Sequence, residues 1–153
     1  MELQGVSRQG LRFGADVSIG AGTMIRPSSY YGGEPGEGLV MGDRSSIGPW
    51  GYIGCSGLVT IGNDVMFGPG VHVYAENHDF MDPQRTIKSQ GVTRAAVTIE
   101  DDCWIASGST ITAGVTVGRG SVVGAGSVVT HDLPPGSVAV GSPARVLRNR
   151  FES

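Results

Sequence analysis

From Ile99 onward an aliphatic residue recurs at every sixth position, Ile99, Ile105, Ile111, Val117, Val123 and Val129. A helix of 3.6 residues per turn would carry such a hexad around its whole surface, and a strand of period two cannot take a turn glycine every six residues without being cut short. Each hexad therefore reads as one very short strand followed by a corner. Four residues after the aliphatic position stands a small or short-branched residue, Cys103, Ser109, Val115, Ser121 and Ser127, while Gly118 and Gly124 follow their aliphatic position directly. Upstream the frame reads Met41, Ile47, Ile53, shifts by two, and resumes as Ile61, Phe67, Val73, with Gly42, Gly48, Gly54, Gly62 and Gly68 in the following slot. The segment from Val17 to Ile25 is an earlier, shorter instance.

Three strands per coil make about 18 residues per turn of an all-β solenoid, with aliphatic side chains pointing inward. Residues one coil apart then lie above one another, so Ile99 is expected on Val117, Ile105 on Val123 and Ile111 on Val129. A single coil cannot bury its apolar face, and stability comes from stacked neighbours. The glycine after each aliphatic residue is expected to supply positive φ at the corner.

Composition agrees with a folded chain. The 153 residues include 26 Gly and 8 Pro, which excludes a helical bundle, and the formal charge of −3 lacks the excess that accompanies disorder. The length fits one domain, residues 1–153. Eleven Lys and Arg against fourteen Asp and Glu argue against nucleic acid as a partner. The amino-terminal residues lack the apolar core of a secretory signal, and no apolar run approaches the ~20 residues of a membrane span. A cytoplasmic protein without membrane insertion is expected, with Cys55 and Cys103 as free thiols.

Two interruptions break the frame. The first is Gly- and Pro-rich and runs from about Pro27 to Leu39; the second covers residues 76–96 and has no hexad at all. Loops of the second kind in a compact domain are usually functional. After Val129 the chain leaves the repeat, forms a short strand over residues 137–140 and ends in a cap or short helix within residues 131–153. Of the three histidines, one opens the long loop: His78, between Asn77 and Asp79. Histidine titrates near neutral pH and is the usual general base for a hydroxyl or amine nucleophile, which makes His78 the candidate catalytic residue. Asp79 or Glu76 is placed to orient the imidazole or only to solubilise the loop. Arg85 and Arg94 are candidates for binding substrate or for simple solvation.

The repeat resembles that of the bacterial hexapeptide-repeat acyltransferases. The run Asn77-His78-Asp79-Phe80-Met81-Asp82-Pro83, then Gln90-Gly91, then the segment from Ile99 to Ile105, and the ending from Val123 to Arg145 are similar to the sugar and polysaccharide O-acetyltransferases of that family. The resemblance covers about residues 40–150. It implies a left-handed parallel β-helix, a handedness opposite to that of ordinary parallel crossovers. It also implies a homotrimer with active sites between subunits, acetyl-CoA as co-substrate, no metal, and a carbohydrate acceptor. Carried over residue by residue, His78 is the base and Trp104 lines the active-site end; Asn77 and Asp79, beside the histidine, are substrate-binding candidates, Asn77 being placed to bond the acceptor or simply to shape a turn. Ser107 and Ala125 meet the pantetheine arm, and Thr130, Arg145 and Arg148 approach the nucleotide. Two departures stand out. His131 replaces a lysine common in relatives, and Trp50 and Tyr52 occupy a region where galactoside- and maltose-type enzymes carry an acceptor-contacting asparagine. Tyr30, Tyr31, Trp50, Tyr52 and Tyr74 offer faces for stacking a sugar or for packing a subunit interface.

Rival readings share the fold. A trimeric carbonic anhydrase needs a histidine pair five apart with a third upstream, whereas His72 and His78 are six apart and His131 follows. A non-catalytic scaffold needs no histidine loop. An amino-sugar N-acetyltransferase or an antibiotic-modifying acetyltransferase stays open, because the same base serves an amine.

Overall fold

The structure is a computed structural model and describes residues 1–3, 7–28 and 34–152. Its strands, two to three residues long through the coils, form three parallel sheets that wrap one core. The first face holds Leu11–Phe13, Leu39–Met41, Val59–Ile61, Val97–Ile99 and Thr116–Val117. The second holds Ser18–Ile19, Ser46–Ile47, Met66–Phe67, Trp104–Ile105 and Val122–Val123, and the third holds Glu2–Leu3, Met24–Arg26, Tyr52–Gly54, His72–Tyr74, Thr110–Ile111 and Val128–Val129. The expected ladders are present, Ile99 pairing with Val117, Ile105 with Val123 and Ile111 with Val129. All but one of these side chains is fully buried, Val129 being 1% exposed.

Successive coils on the first face step from Phe13 to Met41, Ile61, Ile99 and Val117, spacings of 28, 20, 38 and 18 residues. The surplus of 10, 2 and 20 residues over an 18-residue coil falls each time at the corner between the third and first faces. Both long interruptions and the two-residue frame shift therefore leave the solenoid along one edge.

Three serines in the slot four positions after the aliphatic residue are buried and satisfy carbonyls that turning exposes. Ser45 Oγ donates to Gly62 O (2.8 Å), Ser109 Oγ to Gly124 O (2.9 Å) and Ser121 Oγ to Pro134 O (3.2 Å). The glycine directly after the aliphatic residue has a different role from the one expected. Positive φ sits two residues further on, at Asp64 (57°), Gly70 (66°), Gly108 (68°) and Gly126 (67°), and not at Gly62 or Gly68. What the earlier slot demands is space: a Cβ on Gly62 would lie 2.8 Å from the backbone N of Asp101 in the next coil, and one on Gly68 would lie 2.6 Å from that of Ser107.

The carboxy-terminal tail is corrected from a possible short helix to a strand. Ser137–Gly141 pairs with Val122–Val123 and folds back on Ala144–Asn149 as an antiparallel hairpin, which extends the second face. An open sheet edge supplies unpaired backbone groups that an added strand satisfies and a helix would not. Phe151 then lies against the corners at Gly120 and Gly136.

Candidate active site

The long insertion begins as a two-stranded ribbon. Glu76–His78 runs antiparallel to Val92–Arg94, with Glu76 opposite Arg94, Asn77 opposite Thr93 and His78 opposite Val92. His78 ends its strand and is exposed, as is Asn77. The ribbon continues one step, where the Asp79 amide donates to Gly91 O (3.1 Å) and Thr93 Oγ1 donates to Asp79 Oδ1 (2.7 Å). Glu76, the other carboxylate beside the histidine, accepts from Ser56 Oγ at 2.6 Å. Both carboxylates thus have hydroxyl donors. At the far end the loop is held by its own polar groups: Gln90 bonds the amide and carbonyl of Asp82 at 3.0 Å each, Arg85 donates to Ser89 O, and Ile87–Gln90 forms a single helical turn. Phe80, Met81 and Ile87 are exposed there.

Arg94 closes the ribbon with its guanidinium turned to the first insertion, donating to Pro35 O (3.0 Å) and Glu34 O (2.6 Å). Ser56 was not singled out from sequence, although it stands in the two-residue surplus between Ile53 and Ile61, and that frame shift was its signal. Tyr30 and Tyr31 lie outside the described residues.

The residues assigned to the donor are spread over more than one edge of the solenoid. Ser107 and Ala125 are exposed neighbours on the corner between the second and third faces, where the Gly126 amide donates to Ser107 O at 2.9 Å. Trp104, 49% exposed, stands on the outside of the second face between Met66 and Val122. Thr130 lies past the last strand of the third face, its Oγ1 2.9 Å from His131 Nδ1. His131, Asp132, Leu133, Ala144, Arg145 and Val146 line one surface cleft, and Arg148 lies opposite Val138 in the terminal hairpin. Within one chain, His78 and the Ser107–Ala125 pair sit at opposite margins of the third face.

On that third face Tyr52, His72 and Tyr74 cluster, with Tyr52 and Tyr74 centroids 5.3 Å apart and His72 edge-on to both. Burial pushes the Tyr52 phenol above its ordinary range, opposed by nearby Arg26. Among the described residues no group of three His, Cys, Asp or Glu side chains is placed to hold a metal ion.

Residues 96–131 match the family model for the bacterial transferase hexapeptide (six repeats). The chain is 39% identical over 134 residues to nodulation protein L of Rhizobium meliloti, covering 84% of this chain and 68% of that protein. It belongs to the hexapeptide-repeat acetyltransferase family. A hexapeptide-repeat acetyltransferase from Vibrio cholerae superimposes with a TM-score of 0.79 at 31% identity, covering 91% of this chain and 73% of that one, and the fold of the family is the left-handed β-helix. That same Vibrio protein has been solved with acetyl-CoA, and this chain matches the complex with a TM-score of 0.62 at 27% identity, covering 89% of this chain and 69% of that one. A putative acetyltransferase of Schizosaccharomyces pombe is 44% identical over 94 residues, 60% of this chain, but this chain spans only 43% of its length.

Proposed function

We propose that the protein transfers acetyl from acetyl-CoA to a hydroxyl of a carbohydrate acceptor, as a cytoplasmic homotrimer with His78 as general base. The observation that carries this reading is the exposed His78 at the end of a ribbon projecting from a hexapeptide solenoid. Neutral imidazole takes the proton from the acceptor hydroxyl as its oxygen bonds to the thioester carbonyl carbon. The carbon–sulfur bond then breaks, and the imidazolium returns its proton to the coenzyme A thiolate. Such a base contributes about 10²–10⁴ in rate. The negative charge developing on the thioester oxygen is met by a backbone N–H, worth about 2.7–4 kcal/mol.

Ser107 and Ala125 offer an exposed edge to the pantetheine arm, and Arg145, Arg148 and Thr130 are assigned to the nucleotide, whose phosphates call for cations. Asn77, Asp79, Arg85 and Trp104 are assigned to the acceptor. The separation of His78 from Ser107 across a whole face of one chain supports a site shared by two subunits. Membership of an acetyltransferase family supports the donor.

Titration calorimetry with acetyl-CoA is the first test, with saturable micromolar binding expected at about one site per chain. Binding then justifies a screen of methyl galactoside, maltose and glucosamine, with products located by mass spectrometry. Acetyl on nitrogen of an amino sugar would overturn O-transfer. No binding at millimolar acetyl-CoA would overturn the transferase.

A further inference from the structure

We infer that Arg94 is a positioning residue for His78, bracing the ribbon that carries the histidine against the first insertion; this rests on the reading of His78 as the base. A two-stranded ribbon on its own is marginally stable in water, and this one has three registered residue pairs. It leaves the solenoid at Ala75 and Ala95, joined by the Ala95 amide donating to Ala75 O at 3.0 Å. Beyond that point each strand carries a tie to the rest of the molecule, and these two ties sit on directly opposed residues. Glu76 is bonded to the buried Ser56, and Arg94 forks onto the carbonyls of Pro35 and Glu34.

The anchoring carbonyls belong to a segment that is itself fixed. Pro35 bridges to Ser28, Glu34 pairs with Arg8 at 2.8 Å, and the amides of Glu37 and Gly38 donate to Ser56 O and Cys55 O at 2.9 and 3.0 Å. His78 is two residues beyond the opposed Glu76–Arg94 pair, so tilting of the ribbon at that pair displaces the imidazole. Charge-assisted donors in a fork fix orientation as well as distance, which one point charge does not. The first insertion thereby serves as the outer support of the base, a role its Gly- and Pro-rich sequence does not announce.

The test uses the full chain with Arg94→Ala, Arg94→Lys, His78→Ala and the Arg94→Ala/His78→Ala double variant, all checked for unchanged melting. In Arg94→Ala, amide exchange at Asp79 and across residues 76–78 and 92–94 is expected to quicken about tenfold, with Arg94→Lys intermediate. Thiol release from acetyl-CoA, with water as acceptor or with one found in the screen, is expected to fall about tenfold in kcat at unchanged KM for acetyl-CoA. That loss is expected to vanish in the His78→Ala background. Unchanged exchange overturns the brace. An equal loss with and without His78, or a change confined to acceptor KM, overturns positioning and makes Arg94 a substrate contact. If the wild-type chain binds no acetyl-CoA, the transferase reading and the catalytic half of this inference fall together, and the exchange measurement alone decides whether Arg94 holds the ribbon.

Discussion

At the scale of single residues, the proposed base is a side chain that the core does not need. His78 stands on an exposed ribbon, so His78→Ala leaves the ladders untouched, and its melting temperature should match the parent's. Turnover is expected to drop by about 10² or more while acetyl-CoA affinity, read by calorimetry, stays within twofold. Equal loss of both would make His78 a binding residue. The two cysteines are the opposite case. Both are buried and free, and burial pushes Cys55 up to about 12 and Cys103 up to about 11. The native thiols should therefore ignore a thiol-specific reagent at pH 8 and react only in denaturant. The sign of the pH dependence follows from linkage. An unfolded thiol ionises near pH 8.5, so the stability these groups contribute is intact below that pH and is lost as pH rises through about 11 for Cys103 and about 12 for Cys55. Alkaline melting curves of Cys103→Ala against the parent measure it.

Among the elements, the short strands have almost no length to hold them, and stacking between coils does the work. Ile105 is fully buried between Phe67 and Val123 in the second-face ladder, so Ile105→Ala should cost about 2–5 kcal/mol in chemical denaturation. Gly62→Ala tests a different constraint. Its φ is not in the left-handed region, yet a Cβ there meets Asp101 backbone at 2.8 Å, so a loss of about 1–3 kcal/mol is expected from overpacking. The hexads made the ladders legible because an inward residue every six positions leaves a single way to stack. The function of each glycine was less legible: one residue type answers both a need for positive φ and a need for space, and periodicity does not separate the two. The terminal strand was illegible for a related reason, since Ala144–Asn149 follows the repeat and takes its conformation from the sheet edge it pairs with.

In the whole molecule, surplus residues leave at one corner of the solenoid, while Ser107 and Ala125 lie along another. A shared site predicts complementation. His78→Ala chains refolded together with Ser107→Arg chains should regain about a quarter of parental activity, the fraction of interfaces in a random trimer with both halves intact. No recovery in mixed trimers confirmed by sedimentation would place the whole site in one subunit. Much of this was legible beforehand. The hexad period dictated a solenoid, its register and its core, because side-chain period and coil length are properties of the chain alone, and the break in the period located the histidine loop. Tertiary structure alone decided that both insertions share an edge, that Ser56 and Arg94 tie down the ribbon, and that the last residues form a hairpin. The two ties of the ribbon join residues 20 to 60 positions apart, and Arg94 takes carbonyls of Glu34 and Pro35 that every residue possesses, so the frame shift marks where Ser56 stands but no pattern of side chains names the partners; the hairpin pairs residues within 12 positions and takes its conformation from the sheet edge it joins.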